Sequence, residues 1–325
     1  MNKAQKNSDK TIVLQMLCFL YVIDMISFEN VSRYVLSQIN IHIPSGTSVG
    51  LAGASGAGKT TFLRLACGLL KCDSGSIYVN GRCQTFYSGK MSKELGVLFA
   101  DKPILNSEES VCHNFKTLKT IYRLSEKEYQ KNYIRLSVQL GFAQFEEKKV
   151  KTLSLGQRRR AELGAVLLHT PKILLLDEPT IGLDENAKQA IYNILQEYIL
   201  NGTTAVISSH DLTDISRMCQ RIAVLNKGKL IYYGKKELLL KKFAPLDRMY
   251  IKLLETYPDL EDLPLERYFV ENDLLTLFYN SNHITSAEIL RTIISQTSIK
   301  EVTIKKGDLA DIILKIERKK DEGFY

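Results

Sequence analysis

None of the six cysteines, Cys18, Cys67, Cys72, Cys83, Cys112 and Cys219, stands at C-x-x-C spacing from another. That argues against both a zinc site and a disulfide framework and fits a reducing compartment. No apolar run reaches the roughly 20 residues that a membrane-spanning helix needs. Sustained heptads are missing as well, which excludes a long coiled coil. The basic excess, 44 Lys and Arg against 36 Asp and Glu for a formal charge of +8, gathers in no single tract. A generally solvated basic surface accounts for it better than a nucleic-acid or anionic-membrane patch, and no nucleic-acid partner is expected. What is present is ordinary for a globular protein, 45% hydrophobic and 25% charged residues. At 325 residues the chain exceeds one usual domain, so a main domain with an accessory unit is the natural division.

Chemistry concentrates in a few short motifs. Gly53-Ala54-Ser55-Gly56-Ala57-Gly58-Lys59-Thr60-Thr61 is a P-loop. The apolar run Ser48–Ala52 before it predicts a buried strand, and the segment from Thr61 predicts a helix whose free N–H groups face an anion. Lys59 would bridge the β- and γ-phosphates of a nucleotide, and the Thr60 hydroxyl would ligate Mg²⁺. A second apolar strand, 172–176, delivers Asp177 and Glu178 at its C-terminal end, where α/β sheets form their ligand crevice. Asp177 suits Mg²⁺, a cation that wants oxygen ligands and keeps several waters. Glu178 suits a general base for an attacking water.

Downstream of the P-loop stand Leu153-Ser154-Leu155-Gly156-Gln157, Gly182-Leu183-Asp184 and Ser209-His210. With the P-loop and the Asp177-Glu178 strand, they resemble the motif set of the nucleotide-binding subunit of ATP-binding cassette (ABC) transporters, over about residues 26–240. The resemblance implies an α/β P-loop, RecA-like ATPase core with antiparallel β and helical subdomains, the helical part at about 102–160. It implies ATP and Mg²⁺ as the bound species and ATP hydrolysis as the activity. Ser154, Gly156 and Gln157 would cap the γ-phosphate of ATP held by the opposite subunit, so the working form would be a head-to-tail dimer with two sandwiched nucleotides. Asp184 would pass along that interface, and His210 would touch the γ-phosphate. Tyr34 would stack on adenine, with Phe28 as the competing choice.

The pattern has departures. Asp101 stands where the family carries a glutamine that contacts Mg²⁺; an aspartate still suits a hard cation but is one carbon shorter. Leu155 replaces the first signature glycine, and Gly182 stands where many members carry a small residue or serine. Arg158, Arg159 and Arg160 follow the signature and read as a solvated helix face rather than nucleic-acid contacts. Between 109 and 151 the chain reads as mostly helical, with Val111, Phe115, Leu118, Ile121 and Tyr122, then Ile134, Leu136, Val138 and Leu140, as its apolar supply.

Residues 1–25 form an extension. Its apolar run, 12–23, follows Lys3, Lys6 and Lys10 and resembles a signal peptide, but it has no small-residue cleavage site and is short for a membrane span. It reads as an over-extended start or, as the alternative, a membrane-surface anchor. From 245 to 325 the character changes: strands at 250–254, 268–270, 275–279 and 302–304, a helix opened by the Thr285/Glu288 capping box and another around 309–316. This predicts a small α+β, ferredoxin-like βαββαβ domain. Within the family, the signature run 153–158 with 161–163, the run 176–184 and this C-terminal domain look like the ATPase of an ABC-2-type exporter. That assignment places the chain in the cytoplasm, peripheral on the inner membrane face, beside a separate ABC-2-type permease. The rival is a soluble ABC ATPase acting on ribosomes or DNA. Such translation factors usually carry two cassettes and repair ATPases long coiled coils; this chain has one cassette and no heptads. A third reading, a member that binds ATP but hydrolyses it poorly, is opposed by Lys59, Glu178 and His210.

Overall fold

The computed structural model describes residues 24–84, 93–243, 246–254, 257–307 and 312. The expected extension and the helix around 309–316 therefore lie outside the described residues, apart from 24, 25 and 312. The chain divides into two compact units at the 234/235 boundary.

The first unit holds two sheets. Strands β1 (Asp24–Arg33), β2 (Leu36–Pro44), β4 (Ser74–Val79) and β5 (Arg82–Cys83) form a four-stranded antiparallel sheet in the order β2-β1-β4-β5. Along β2 the buried positions Ile39, Ile41 and Ile43 alternate with exposed ones, the period-2 signature of a sheet with one wet face. The second sheet runs β10-β9-β3-β8-β7-β6, from β3 (Ser48–Ala52), β6 (Leu95–Leu98), β7 (Ile173–Asp177), β8 (Thr204–Ser208), β9 (Arg221–Asn226) and β10 (Lys229–Lys235). The pairs joining β9, β3, β8, β7 and β6 are parallel. β3, β7 and β8 are buried at every position, as the uninterrupted apolar runs require of a parallel sheet covered on both faces. Helix α1 (Lys59–Ala66) lies between the sheets, and its Phe62 stacks on Phe28 of β1 with ring centroids 4.2 Å apart.

Helices α2 (Val111–Tyr122), α3 (Glu126–Gln139) and α4 (Leu155–Leu167) follow. Ser110, Ser125 and Ser154 cap them, the last two in full capping boxes. The core here is more aromatic than the sequence predicts. Phe115, Tyr129, Phe142 and Leu136 are buried, whereas Ile121, Ile134 and Val138 are 62%, 58% and 70% exposed. Phe115 and Phe142 crowd the bare Cα of Gly164, where a Cβ would lie 2.6 Å from the Phe142 ring. Helices α5 (Glu185–Leu200) and α6 (Leu212–Met218) complete the unit.

The second unit has α7 (Lys236–Phe243), then β11 (Asp247–Leu253), β12 (Leu265–Glu271), β13 (Leu274–Tyr279), α8 (Ser286–Ile294) and β14 (Ile299–Lys305). Its sheet is antiparallel throughout, in the order β12-β13-β11-β14, with Ile289 and Ile293 of α8 in a core with Met249, Ile251, Leu275 and Leu277. Thr285 and Glu288 form the expected capping box. The expected helix between the first two strands is missing among the described residues: 257–264 is irregular, tucking Leu260 and Leu263 against the sheet. Pro258 and Pro264 leave only five residues between them, and each removes a helix donor. None of the described cysteines is in a disulfide. No helix among the described residues is long and apolar enough to cross a membrane.

Candidate functional site

Three neighbouring parallel strands bring the motifs to one edge. Ser208 at the end of β8 is in register with Leu51 of β3 on one side and Asp177 of β7 on the other. The P-loop after β3, Asp177-Glu178 after β7 and Ser209-His210 after β8 must then emerge together at the carboxyl ends of the sheet.

The P-loop turns on Gly53, Gly56 and Gly58, with φ of 146°, 78° and 107°. At Gly53 a Cβ would sit 2.1 Å from the Leu225 carbonyl, and at Gly58 2.4 Å from Leu36, so both need bare backbone. Lys59 Nζ donates to the Gly53 and Ala54 carbonyls at 2.7 and 3.0 Å, holding its ammonium across the loop. Thr60 Oγ1 donates to Asp177 Oδ2 at 2.9 Å, and Ser208 Oγ donates to Asp177 Oδ1. Asp177 is buried. Two hydroxyls and a carboxylate form a hard-oxygen set that fits Mg²⁺, which takes few protein ligands.

Glu178 is bound on every side. Its N–H donates to the Ser208 carbonyl and hydroxyl, and its Oε2 lies 2.7 Å from His210 Nδ1. Its φ is +51°, the left-handed region, which costs a non-glycine residue about 1–3 kcal/mol unless neighbours enforce it. The enforcing neighbour includes a residue that sequence reasoning took for solvated surface. Arg159 of α4 is only 3% exposed. Its Nη2 donates to the Asp177 and Glu178 carbonyls at 2.6 and 2.8 Å, and its Nη1 to the Phe99 carbonyl at 3.2 Å. Glu162, also buried, is its counterion. Burial presses the guanidinium pKa down from its ordinary value, while Glu162, Asp177 and Glu178 oppose that. The signal was available: a charged i,i+3 pair beside the small and apolar run Ala161, Leu163, Gly164 and Ala165.

The signature run, residues 153–157, and the Gly182-Leu183-Asp184 segment, the D-loop, form a separate groove. Ser154, Leu155, Gly156, Gln157, Arg160, Gly182, Leu183 and Asp184 line an open cavity of about 320 Å³ that shares no lining residue with the P-loop. Ser154 accepts from the Gln157 N–H, and Asp184 caps α5 by accepting from the Ala187 N–H. A Cβ on Gly182 would lie 2.5 Å from Leu155 Cδ2. The two departures noted in the sequence are thus in contact: the larger residue in the signature fills space left by the smaller one in the D-loop. Behind the D-loop, the buried carboxylate of Asp214 accepts from Thr180, Tyr192 and Lys188, a network that no motif in the sequence marks.

Two predicted residues stand apart. Asp101 is exposed, and its Oδ2 accepts from Arg64 Nη2 at 2.6 Å. Tyr34 is 68% exposed in the turn between β1 and β2, with Arg33 over its ring at 4.2 Å. The next residue, Val35, lies against Gly58 of the P-loop. Phe28, its competitor for the base, is a fully buried core residue.

A P-loop lysine, a Thr–Asp pair and a Glu–His pair on the ends of adjacent parallel strands define a P-loop nucleoside triphosphate hydrolase. The ABC transporter family model matches residues 36–181. The linearmycin resistance ATP-binding protein LnrL of Bacillus subtilis is 29% identical over 220 residues, 65% of this chain and 70% of that protein. The lantibiotic transport ATP-binding protein SrtF of Streptococcus pyogenes is 32% identical over 199 residues, 61% of this chain and 83% of that protein. Among solved structures, the dimeric post-hydrolysis state of the ATP-binding cassette MJ0796 with ADP and Pi is similar at TM-score 0.59 and 26% identity, covering 65% of this chain and 98% of that one. The chain belongs to the ATP-binding proteins of ABC transporters and is a nucleotide-binding ATP hydrolase.

Proposed function

We propose that this chain is the ATPase subunit of an ABC-2-type exporter, which drives a separate membrane permease by closing and reopening a two-fold dimer around two ATP molecules. The observation that carries the dimer is the second groove: Ser154, Gly156, Gln157 and Asp184 converge on a cavity that shares no residue with the P-loop. A serine-capped helix N-terminus presents a hydroxyl and backbone N–H groups suited to a phosphate. Within one chain these groups have no nucleotide to serve, and a head-to-tail copy would supply one. The export reading draws support from the relatives named for linearmycin resistance and lantibiotic transport. Such a dimer would sit peripherally on the cytoplasmic membrane face.

In this reading residues 53–61 cradle the phosphates and Lys59 neutralises them. Thr60 and Asp177 would hold Mg²⁺, which when bound draws charge from the phosphate oxygens; the reading also assigns Asp101 to that cation, which requires its carboxylate to leave Arg64. Tyr34 stacks on adenine. Glu178 takes a proton from water as the water oxygen bonds to the γ-phosphorus and the bond to the ADP oxygen breaks. His210, within hydrogen-bond distance of the same carboxylate, orients the base and meets the γ-phosphate. Because ATP binds the closed dimer better, it shifts the equilibrium to closure, and hydrolysis reverses it.

The test is affinity purification of tagged Glu178→Gln protein from detergent-solubilised membranes with Mg-ATP, followed by mass spectrometry. A polytopic permease in stoichiometric amount is expected; ribosomal proteins, or nothing from the membrane, would move the assignment to a soluble ABC ATPase.

A further inference from the structure

The catalytic edge carries one buried cation that none of the motif roles uses. Arg159 sits on α4, two residues past the signature, yet its guanidinium reaches three carbonyls at two strand ends: Asp177 and Glu178 at the end of β7, and Phe99 after β6. The geometry points to Arg159 as a positioning residue for the hydrolytic carboxylate, locking the left-handed backbone of Glu178 from its carbonyl side while Ser208 locks it from its N–H side. The inference rests on Glu178 being the base.

The backbone of Glu178 lies in the left-handed region, at φ +51°, which a non-glycine residue leaves unless it is held there. Ser208 accepts its N–H through both carbonyl and hydroxyl. Without Arg159 the Glu178 carbonyl keeps only the longer bond from the Ile181 N–H, at 3.3 Å, so one of the two fixed ends is loosened and the peptide can turn toward an ordinary conformation. That rotation swings the carboxylate away from His210, now 2.7 Å off. The fork geometry matters: one planar guanidinium bonds two successive carbonyls with one nitrogen and the Phe99 carbonyl with the other, which a lysine ammonium cannot reproduce. Glu162 keeps the cation paired, and Arg158 Nε also donates to it at 2.9 Å, so Glu162 retains a partner when Arg159 is replaced. Arg159 also joins helix to site. Its Cα belongs to the signature helix, its bonds end on the base, and the Phe99 segment leads to Asp101. A shift of α4 therefore moves the Glu178 peptide directly.

The test uses the full chain with Mg-ATP and two substitutions, Arg159→Lys and Arg159→Met, each alone and with Glu178→Gln. A misplaced catalytic group of this kind costs up to about a hundredfold in rate. Arg159→Met is expected to lower kcat about a hundredfold and Arg159→Lys about tenfold, with KM for ATP within about twofold of the parent. In the Glu178→Gln background either change is expected to leave the residual turnover unaltered, because the group it positions is gone. Parental kcat in Arg159→Met, a rise in KM equal to the fall in kcat, or an equal multiplicative loss in the Glu178→Gln background would each overturn the proposal. Thermal melts of the same proteins identify any variant that has not folded; if Arg159→Met has not, Arg159→Lys, which keeps the charge, decides. Undiminished turnover in Glu178→Gln alone would instead remove the base assignment, a different failure.

Discussion

His169 makes the stability of the ATPase unit depend on pH between about 6.5 and 4. Its imidazole is buried after α4, stacked on Tyr122 of α2 with centroids 3.8 Å apart, and its Nε2 lies 3.0 Å from the Leu95 carbonyl. Nδ1 has no hydrogen-bond partner, so the fold holds the neutral ring with Nε2–H donating to Leu95. Burial lowers the pKa from 6.5 to about 4. The sign follows from linkage. Below pH 6.5 the unfolded chain takes a proton that the folded chain refuses until about pH 4, so stability is lost as pH falls through that window and the loss levels off below it. A shift of about 2.5 units is worth about 3 kcal/mol when complete, and about 2 kcal/mol of that is lost between pH 7 and 5. The assay is urea unfolding by far-ultraviolet circular dichroism at several pH values, for the parent and for His169→Gln, which keeps a donor for Leu95 without titrating. Subtracting the variant removes the other titrating groups. The parent is expected to lose about 2 kcal/mol more than the variant between pH 7 and 5; superimposable pH profiles would show that the ring is not held neutral and would refute the argument.

The contact between Leu155 and Gly182 predicts coupling. At φ +73°, with a Cβ 2.5 Å from Leu155 Cδ2, Gly182→Ala is expected to cost about 2 kcal/mol, falling to about 1 kcal/mol with Leu155→Ala; strictly additive thermal melts would rule the contact out as the cause. Removing the buried Asp214 carboxylate strands Thr180 and Tyr192 and takes one partner from Lys188, which keeps Asp211 at 3.0 Å. Asp214→Ala is therefore expected to cost about 3 kcal/mol, or roughly 6–12 °C in Tm, and a change under about 2 °C would show that the network carries little. Thr60→Ala removes a donor to Asp177. Mg²⁺-dependent ATP affinity, measured calorimetrically, is expected to fall at least tenfold while affinity in chelator stays within about twofold of the parent; equal falls in both would take Thr60 out of the cation site.

Elements that carry the motifs were legible because burial alone dictates them. The runs Ser48–Ala52, 172–176 and Thr204–Ser208 have no polar face, and the strands they form, Ser48–Ala52, Ile173–Asp177 and Thr204–Ser208, are buried at every position. Serine or threonine before a helical pattern, with glutamine or glutamate three residues on, forms a capping box at Ser125, Ser154 and Thr285. Local signals like these survive folding because the partner groups are near in sequence. What was hidden depends on tertiary placement. The three successive arginines after the signature look equivalent as a string, yet helical rotation of about 100° per residue points them in different directions. Arg159 alone is turned into the sheet, where three carbonyls await it. The exposed aliphatics Ile121, Ile134 and Val138 show the converse: helical spacing marks a face without saying whether anything covers it. At Glu178 both effects meet. The acidic residue after an apolar strand was readable as a candidate base, but its left-handed backbone could not be read from sequence, because no glycine or asparagine marks it. Beside the local bond from the Ile181 N–H to its carbonyl, bonds to Ser208 and from Arg159, residues 30 positions after it and 19 before it, hold that conformation. The chemistry of the site was thus written in its motifs, and the precision of the site in residues that no motif contains.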